Sequence, residues 1–141
     1  MRPGRVVFLL ALALILIVGN VYAEPQPGKV VTLLQAKATT GDGEMTDISS
    51  DSLMTWACDV STTGVPTSVT VRVEGNLGGT VFDTTGMAEH VLTAAQLAIT
   101  PNPFSSFAFS VGPARQIKGV LVTLAGGTSP TVTMKCYGVA K

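Results

Sequence analysis

The chain has 141 residues, with nine Lys or Arg against nine Asp or Glu and so no net formal charge. Charged residues make up 13%, and the basic ones form no patch, which argues against a nucleic-acid partner. One histidine and two cysteines are too few ligands for a zinc site, and no Gly-x-Ser-x-Gly nucleophile turn occurs.

The first 23 residues read as an export leader. Arg2 and Arg5 give a positive head, and Val6 to Val18 is an unbroken apolar run. Val21 and Ala23 stand where a signal peptidase reads small or apolar side chains, so cleavage is expected between Ala23 and Glu24. Pro25, Pro27 and Gly28 follow at once and cannot continue a helix. A retained membrane anchor is the alternative. It needs roughly 20 apolar residues, more than the unbroken run provides. Either way the body lies outside the cytoplasm, because the two arginines hold the N-terminus inside. No cysteine stands near the leader's end, so lipid anchoring has no attachment point. Without the leader, seven basic and nine acidic residues remain, a net charge of 7 − 9 = −2 over Glu24–Lys141. That length suits one domain. The expected organisation is a signal peptide at 1–23, an N-terminal strand and polar loop at 24–51, and a β-sandwich core at 52–141.

The body is rich in Thr, Val, Ser and Gly, and apolar residues recur with a period of two between turn signals. Lys29–Ala38 is expected as a first strand and Thr39–Asp51 as a polar glycine-bearing loop. Ser52–Val60 is expected as the second strand, with Trp56, Cys58 and Val60 on one face; Ser61–Pro66 is the turn after it. In Thr67–Glu74 the alternation is clearest, with Val69, Val71 and Val73 facing one way and Ser68, Thr70, Arg72 and Glu74 the other. Val81–Asp83 opens a short strand. Thr93 is placed to cap a helical turn through Ala94–Leu97, which Thr100–Pro103 ends. Phe104–Val111 puts Phe107 and Phe109 on one face. Gln116–Leu124 carries Ile117, Leu121 and Thr123 on one side and Val120, Val122 and Leu124 on the other, the pattern of a central strand. Thr131–Val139 turns Val132, Met134 and Cys136 inward.

About seven short strands between Gly- and Pro-bearing turns predict an all-β fold, an antiparallel β-sandwich, with a closed β-barrel as the alternative. Cys58 and Cys136 both sit on apolar strand faces. In an exported chain they are candidates for one disulfide; the alternative is two buried thiols that never meet.

Other readings are weaker. His90, beside Glu89, lacks the partners of a general base or metal ligand and reads as a surface or half-buried residue. Asp42, Glu44 and Asp47 do not keep the register of an EF-hand calcium loop. No pair of carboxylates is marked out for glycoside hydrolysis. Trp56 shares a face with Cys58 and Val60, so it reads as a core residue rather than a sugar-stacking platform. The expectation is a protein that is not an enzyme and carries no cofactor or metal.

A set of turn and strand motifs resembles a known family. It runs through Val71, Val73, Glu74 and Gly75, then Gly79 and Thr80, and later Arg115, Ile117, Gly126, Gly127, Pro130, Val132 and Thr133. Between Trp56 and Tyr137 the chain resembles the small β-sandwich found among bacteriophage virion proteins in head-decoration, fibre or tail-associated roles. The resemblance implies a structural or decorating module. The leader and the cysteine pair fit an exported relative, working at a cell surface or as an extracellular assembly subunit. The expected partner is protein, copies of the chain itself, through edge pairing or face packing, with Glu24–Ala38 as a candidate exchangeable strand. A glycan or cell-surface polymer is the alternative partner. Nucleic acid is excluded, as is a membrane after leader cleavage; the expected location is extracellular or periplasmic.

Overall fold

The computed structural model describes residues 28–48, 53–79, 81–83, 88–110 and 114–140. The leader and its expected cut between Ala23 and Glu24 lie outside the described residues. Eight strands are described: β1 (Val30–Lys37), β2 (Gly41–Asp47), β3 (Leu53–Thr63), β4 (Ser68–Asn76), β5 (Glu89–Val91), β6 (Phe104–Ser110), β7 (Gln116–Ala125) and β8 (Thr131–Ala140). One helical turn, α1 (Ala94–Leu97), stands between β5 and β6.

The strands form two separate four-stranded sheets, one in the order β1-β8-β3-β6 and the other β2-β7-β4-β5, with every pairing antiparallel. The fold is therefore a β-sandwich and not a closed barrel. This strand order is that of a jelly roll, in which the chain passes back and forth between the sheets and consecutive strands seldom pair.

The period-two pattern reads out directly as burial, because each sheet has one dry face. Trp56, Cys58 and Val60 of β3, Val69, Val71 and Val73 of β4, and Val132, Met134 and Cys136 of β8 are all 0% exposed. Leu33 and Leu34 of β1, with Ile117 and Leu121 of β7, complete the centre of the core.

The structure corrects four sequence expectations. The polar stretch read as a loop at 39–51 contains β2, which pairs with β7 from Gly41↔Leu121 to Asp47↔Gln116. It gave no strand signal because it is an edge strand with no fully buried residue, so nothing demands alternation. β3 runs on through Ser61, Thr62 and Thr63, so the turn begins at Gly64. Val81–Asp83 is not a strand: only Asp83 bridges, to Gly75, and the short strand of this region is instead β5. In β7 a bulge reverses the faces: Leu121 pairs with Val71 and Thr123 with Thr70, leaving Val122 unopposed. Leu124 therefore packs against the core, opposite Val69, while Thr123 turns outward.

Two local devices hold the ends. Thr93 caps α1 as the sequence implies: its side chain accepts from the Gln96 backbone N–H, and the Gln96 side chain accepts from the Thr93 N–H at 2.8 Å. At one end of the sandwich the β3–β4 and β7–β8 turns lie against each other. Thr128 N–H donates to the Gly64 carbonyl at 2.8 Å. Gly127, at φ +75°, faces that turn so closely that a Cβ there would sit 2.1 Å from the Gly64 oxygen.

Candidate functional site

Cys58 and Cys136 stand directly opposite each other on β3 and β8, and the structure joins them as a disulfide with a Cα–Cα distance of 4.0 Å. The bridge lies within one sheet and spans 78 residues of sequence. Trp56, two residues before Cys58, is fully buried in the same core, so its ring is not available to a sugar. Its indole N–H has no hydrogen-bond partner among the described residues.

Beside β3, at the edge where the two sheets come together, β5, α1 and β6 bring three polar side chains together. His90 Nε2 and Gln96 Nε2 each lie 2.7 Å from Ser105 Oγ. The Gln96 amide is oriented by Thr93, whose backbone N–H and hydroxyl both donate to Oε1, so Nε2 donates to Ser105. The Ser105 hydroxyl then has its own proton to give to His90 Nε2. That requires a neutral imidazole. Burial lowers the His90 pKa from its ordinary 6.5, in the direction this arrangement needs. The ring also stacks on Phe107, with centroids 4.8 Å apart and planes 12° from parallel. Ser105 is only 3% exposed. The pair therefore closes the gap between the sheets rather than presenting a hydroxyl to a substrate.

The outer face of the β2-β7-β4-β5 sheet carries an ion-pair ladder that the sequence alone does not reveal. Arg72 lies 2.8 Å from Glu74, and Lys118 bridges Glu74 at 3.2 Å and Asp42 at 2.7 Å. Arg72 also reaches Glu89 at 3.5 Å, and Lys118 Nζ stands 4.6 Å from the centre of the Phe82 ring. The Asp42 hydrogen bond, with smaller help from Glu74, raises the Lys118 pKa against the opposing effect of burial. The acidic residues once read against a calcium loop are thus distributed along a strand. Asp42 pairs with Lys118, and the Asp47 carbonyl accepts from Lys29 Nζ at 3.0 Å. Among the described residues no three His, Cys, Asp or Glu side chains gather as a metal site. The ladder was hidden because Lys118 and Glu74 become neighbours only through the β4–β7 register.

The outer face of the other sheet is different in kind. Ala57 lies between Ala108 and Tyr137, and Ser61 between Phe104 and Thr133. Asp59 and Lys135 oppose each other in register, so the charges there are matched. The exposed aromatics Phe104 and Tyr137 are four β3 positions apart along the sheet, about 13 Å, and do not form one platform.

Fold and surfaces together define a disulfide-closed jelly-roll domain whose distinguishing features are sheet faces and edges. No family model matches the chain, and no curated protein matches it in sequence. Among solved structures it is similar to the SPBc2 prophage-derived protein YomS, with a TM-score of 0.50 and 13% identity over 80% of this chain and 93% of that one. It is also similar to the PBSX exported protein XepA, at TM-score 0.47 and 13% identity, over 80% of this chain and 38% of that one. The PRD1 vertex protein P5 matches at TM-score 0.44 and 8% identity, over 83% of this chain and 99% of that one. At these identities the likeness to YomS is one of fold. The resemblance to phage-derived β-sandwiches read in the sequence is met in three dimensions at that level.

Proposed function

We propose that this protein is an exported, non-catalytic structural module that packs through a sheet face against copies of itself or decorates a larger surface. The observation that carries this reading is the outer face around Ala57, Ser61, Ser106 and Ala108, whose charges, Asp59 and Lys135, are already opposed. The short side chains at its centre lose little rotamer freedom on contact, and the exposed Phe104 and Tyr137 beside them offer apolar area to another surface. The jelly roll shared with a prophage-derived protein supports a virion-like role. The disulfide and the leader pattern support an extracytoplasmic one.

The test uses the full chain, expressed with its leader and recovered in the form the cell accumulates. The expected product is found outside the cytoplasm, cut after Ala23, lighter by the hydrogens of two thiols and larger in solution than a monomer. Ala57→Arg, on the exposed face, is expected to weaken association by roughly tenfold or more, about 1.4 kcal/mol, without moving the thermal midpoint. A compact monomer in both forms, binding no larger surface, would overturn the assembly reading. A product held in the cytoplasm with free thiols would overturn export.

A further inference from the structure

Each sheet has two edges, and three of the four are blunted in ways that discourage added strands. β1 breaks register twice along β8 and contains Ala36 at φ +44°. β2 breaks register along β7 and carries Asp42, Glu44 and Asp47. β5 has three residues and includes Glu89.

Among the described residues, β6 has none of these protections and no strand pairs with its outer edge. Its seven residues, Phe-Ser-Ser-Phe-Ala-Phe-Ser, include no charge and no proline. They pair with β3 in unbroken register from Thr55↔Ser110 to Ser61↔Phe104. The hydrogen-bond phase can be counted from Thr62, whose N–H donates to the Pro103 carbonyl at 3.0 Å. By that phase Ser105, Phe107 and Phe109 turn their backbone groups toward β3. Phe104, Ser106, Ala108 and Ser110 turn theirs to the free edge. Cys58 and Cys136 agree with the same phase: their 4.0 Å Cα separation marks a pair that exchanges no backbone bonds, so Cys58 bonds on its β6 side.

We propose that β6 pairs antiparallel with β6 of a second copy, about a two-fold axis at Phe107, joining two four-stranded sheets into one of eight strands. This rests on the assembly reading above and makes the β6 edge of the same sheet the contact between two copies, leaving the outer face for a larger surface. A second copy is the favoured occupant because the strand complements itself. Centred on Phe107, the pairing sets Phe104 against Ser110, Ser105 against Phe109 and Ser106 against Ala108. Large side chains meet small ones at the outer pairs, and core-facing residues stay with core-facing residues. An uncharged strand meets its own copy without like-charge repulsion and offers nothing to a charged segment. The phase also agrees: the free backbone groups of Ser106 meet those of Ala108 of the second copy as a hydrogen-bonded pair, and the two Phe107 rings meet across the axis. The result is a closed, isologous contact that uses up both free edges and so stops at two copies.

The test is the solution mass of the full chain, recovered as above, by sedimentation equilibrium. The wild type is expected to dimerise. Ala108→Pro removes an edge N–H that β3 does not use, so it is expected to give a monomer with the wild-type melting curve. Ala108→Lys places two ammonium groups across the axis. It is expected to weaken the dimer by roughly fivefold at low salt, with recovery at high salt. If Ala108→Pro fails to fold, Ala108→Lys decides. A monomeric wild type overturns the proposal. So does association that both edge variants leave unchanged. In that second case loss of association in Ala57→Arg would keep the assembly reading and remove β6 from it.

Discussion

The imidazole of His90 shows how one half-buried side chain ties the sandwich's open side to pH. Its pKa in the folded chain is lowered by burial from 6.5, so below that pH the unfolded chain binds more protons than the folded one. Stability is therefore full above about pH 6.5 and is lost as pH falls below it. Protonation also turns Nε2 into a donor, leaving the Ser105 hydroxyl with two donors, His90 and Gln96, and no acceptor for its own proton. Thermal melts should show the wild-type midpoint falling as pH is lowered below about 6.5. His90→Gln keeps a polar side chain near Ser105 without that titration, so its midpoint should be flatter over the same range. A slope identical in both proteins would assign the loss to other groups. The sequence reading of a surface or half-buried histidine left the second for the structure to select. The histidine's serine and glutamine partners were not legible there, since β5, α1 and β6 meet only in the folded chain.

At the scale of elements, β1 is the instructive case. Leu33 and Leu34 are adjacent in sequence and both fully buried, which a regular strand does not allow. The two register breaks resolve this, letting β1 pair with β8 while leaning over β7. The close approach is recorded at Gly119, where a Cβ would lie 2.8 Å from Leu33 Cβ and 2.8 Å from Met134 Cε. Gly119→Ala should therefore cost about 1–3 kcal/mol of stability, read from denaturant unfolding. Gly79→Ala, where a Cβ meets nothing within 4 Å, is the control and should be near neutral. Equal effects at the two sites would show that β1 does not press on β7. The strands with one dry face and one wet face were legible from alternation. β2 was not, because its half-buried positions are Gly41, Gly43 and Thr46, which carry no apolar signal, and the β7 bulge was not, because a single unopposed Val122 reverses the phase without changing composition.

For the whole molecule the disulfide is the long-range constraint. It closes a segment of 78 residues between two neighbouring strands of one sheet. Replacing both cysteines, as Cys58→Ala with Cys136→Ala, should lower stability by roughly 4 kcal/mol on the chain-entropy argument, checked by denaturant unfolding of both proteins. An unchanged midpoint would mean that residual structure already restrains the unfolded chain as much as the bridge does. From the sequence alone follow the all-β class, the inward faces of β3, β4 and β8, the capped turn at Thr93 and the candidacy of Cys58 and Cys136. Each depends on local spacing or local hydrogen bonding. Only the tertiary structure decided which strands are neighbours, and with that the disulfide's place within one sheet, the Arg72–Glu74–Lys118–Asp42 ladder and the free edge of β6. In a jelly roll the pairing partners are far apart along the chain, so periodicity tells which way a side chain points but not what it meets.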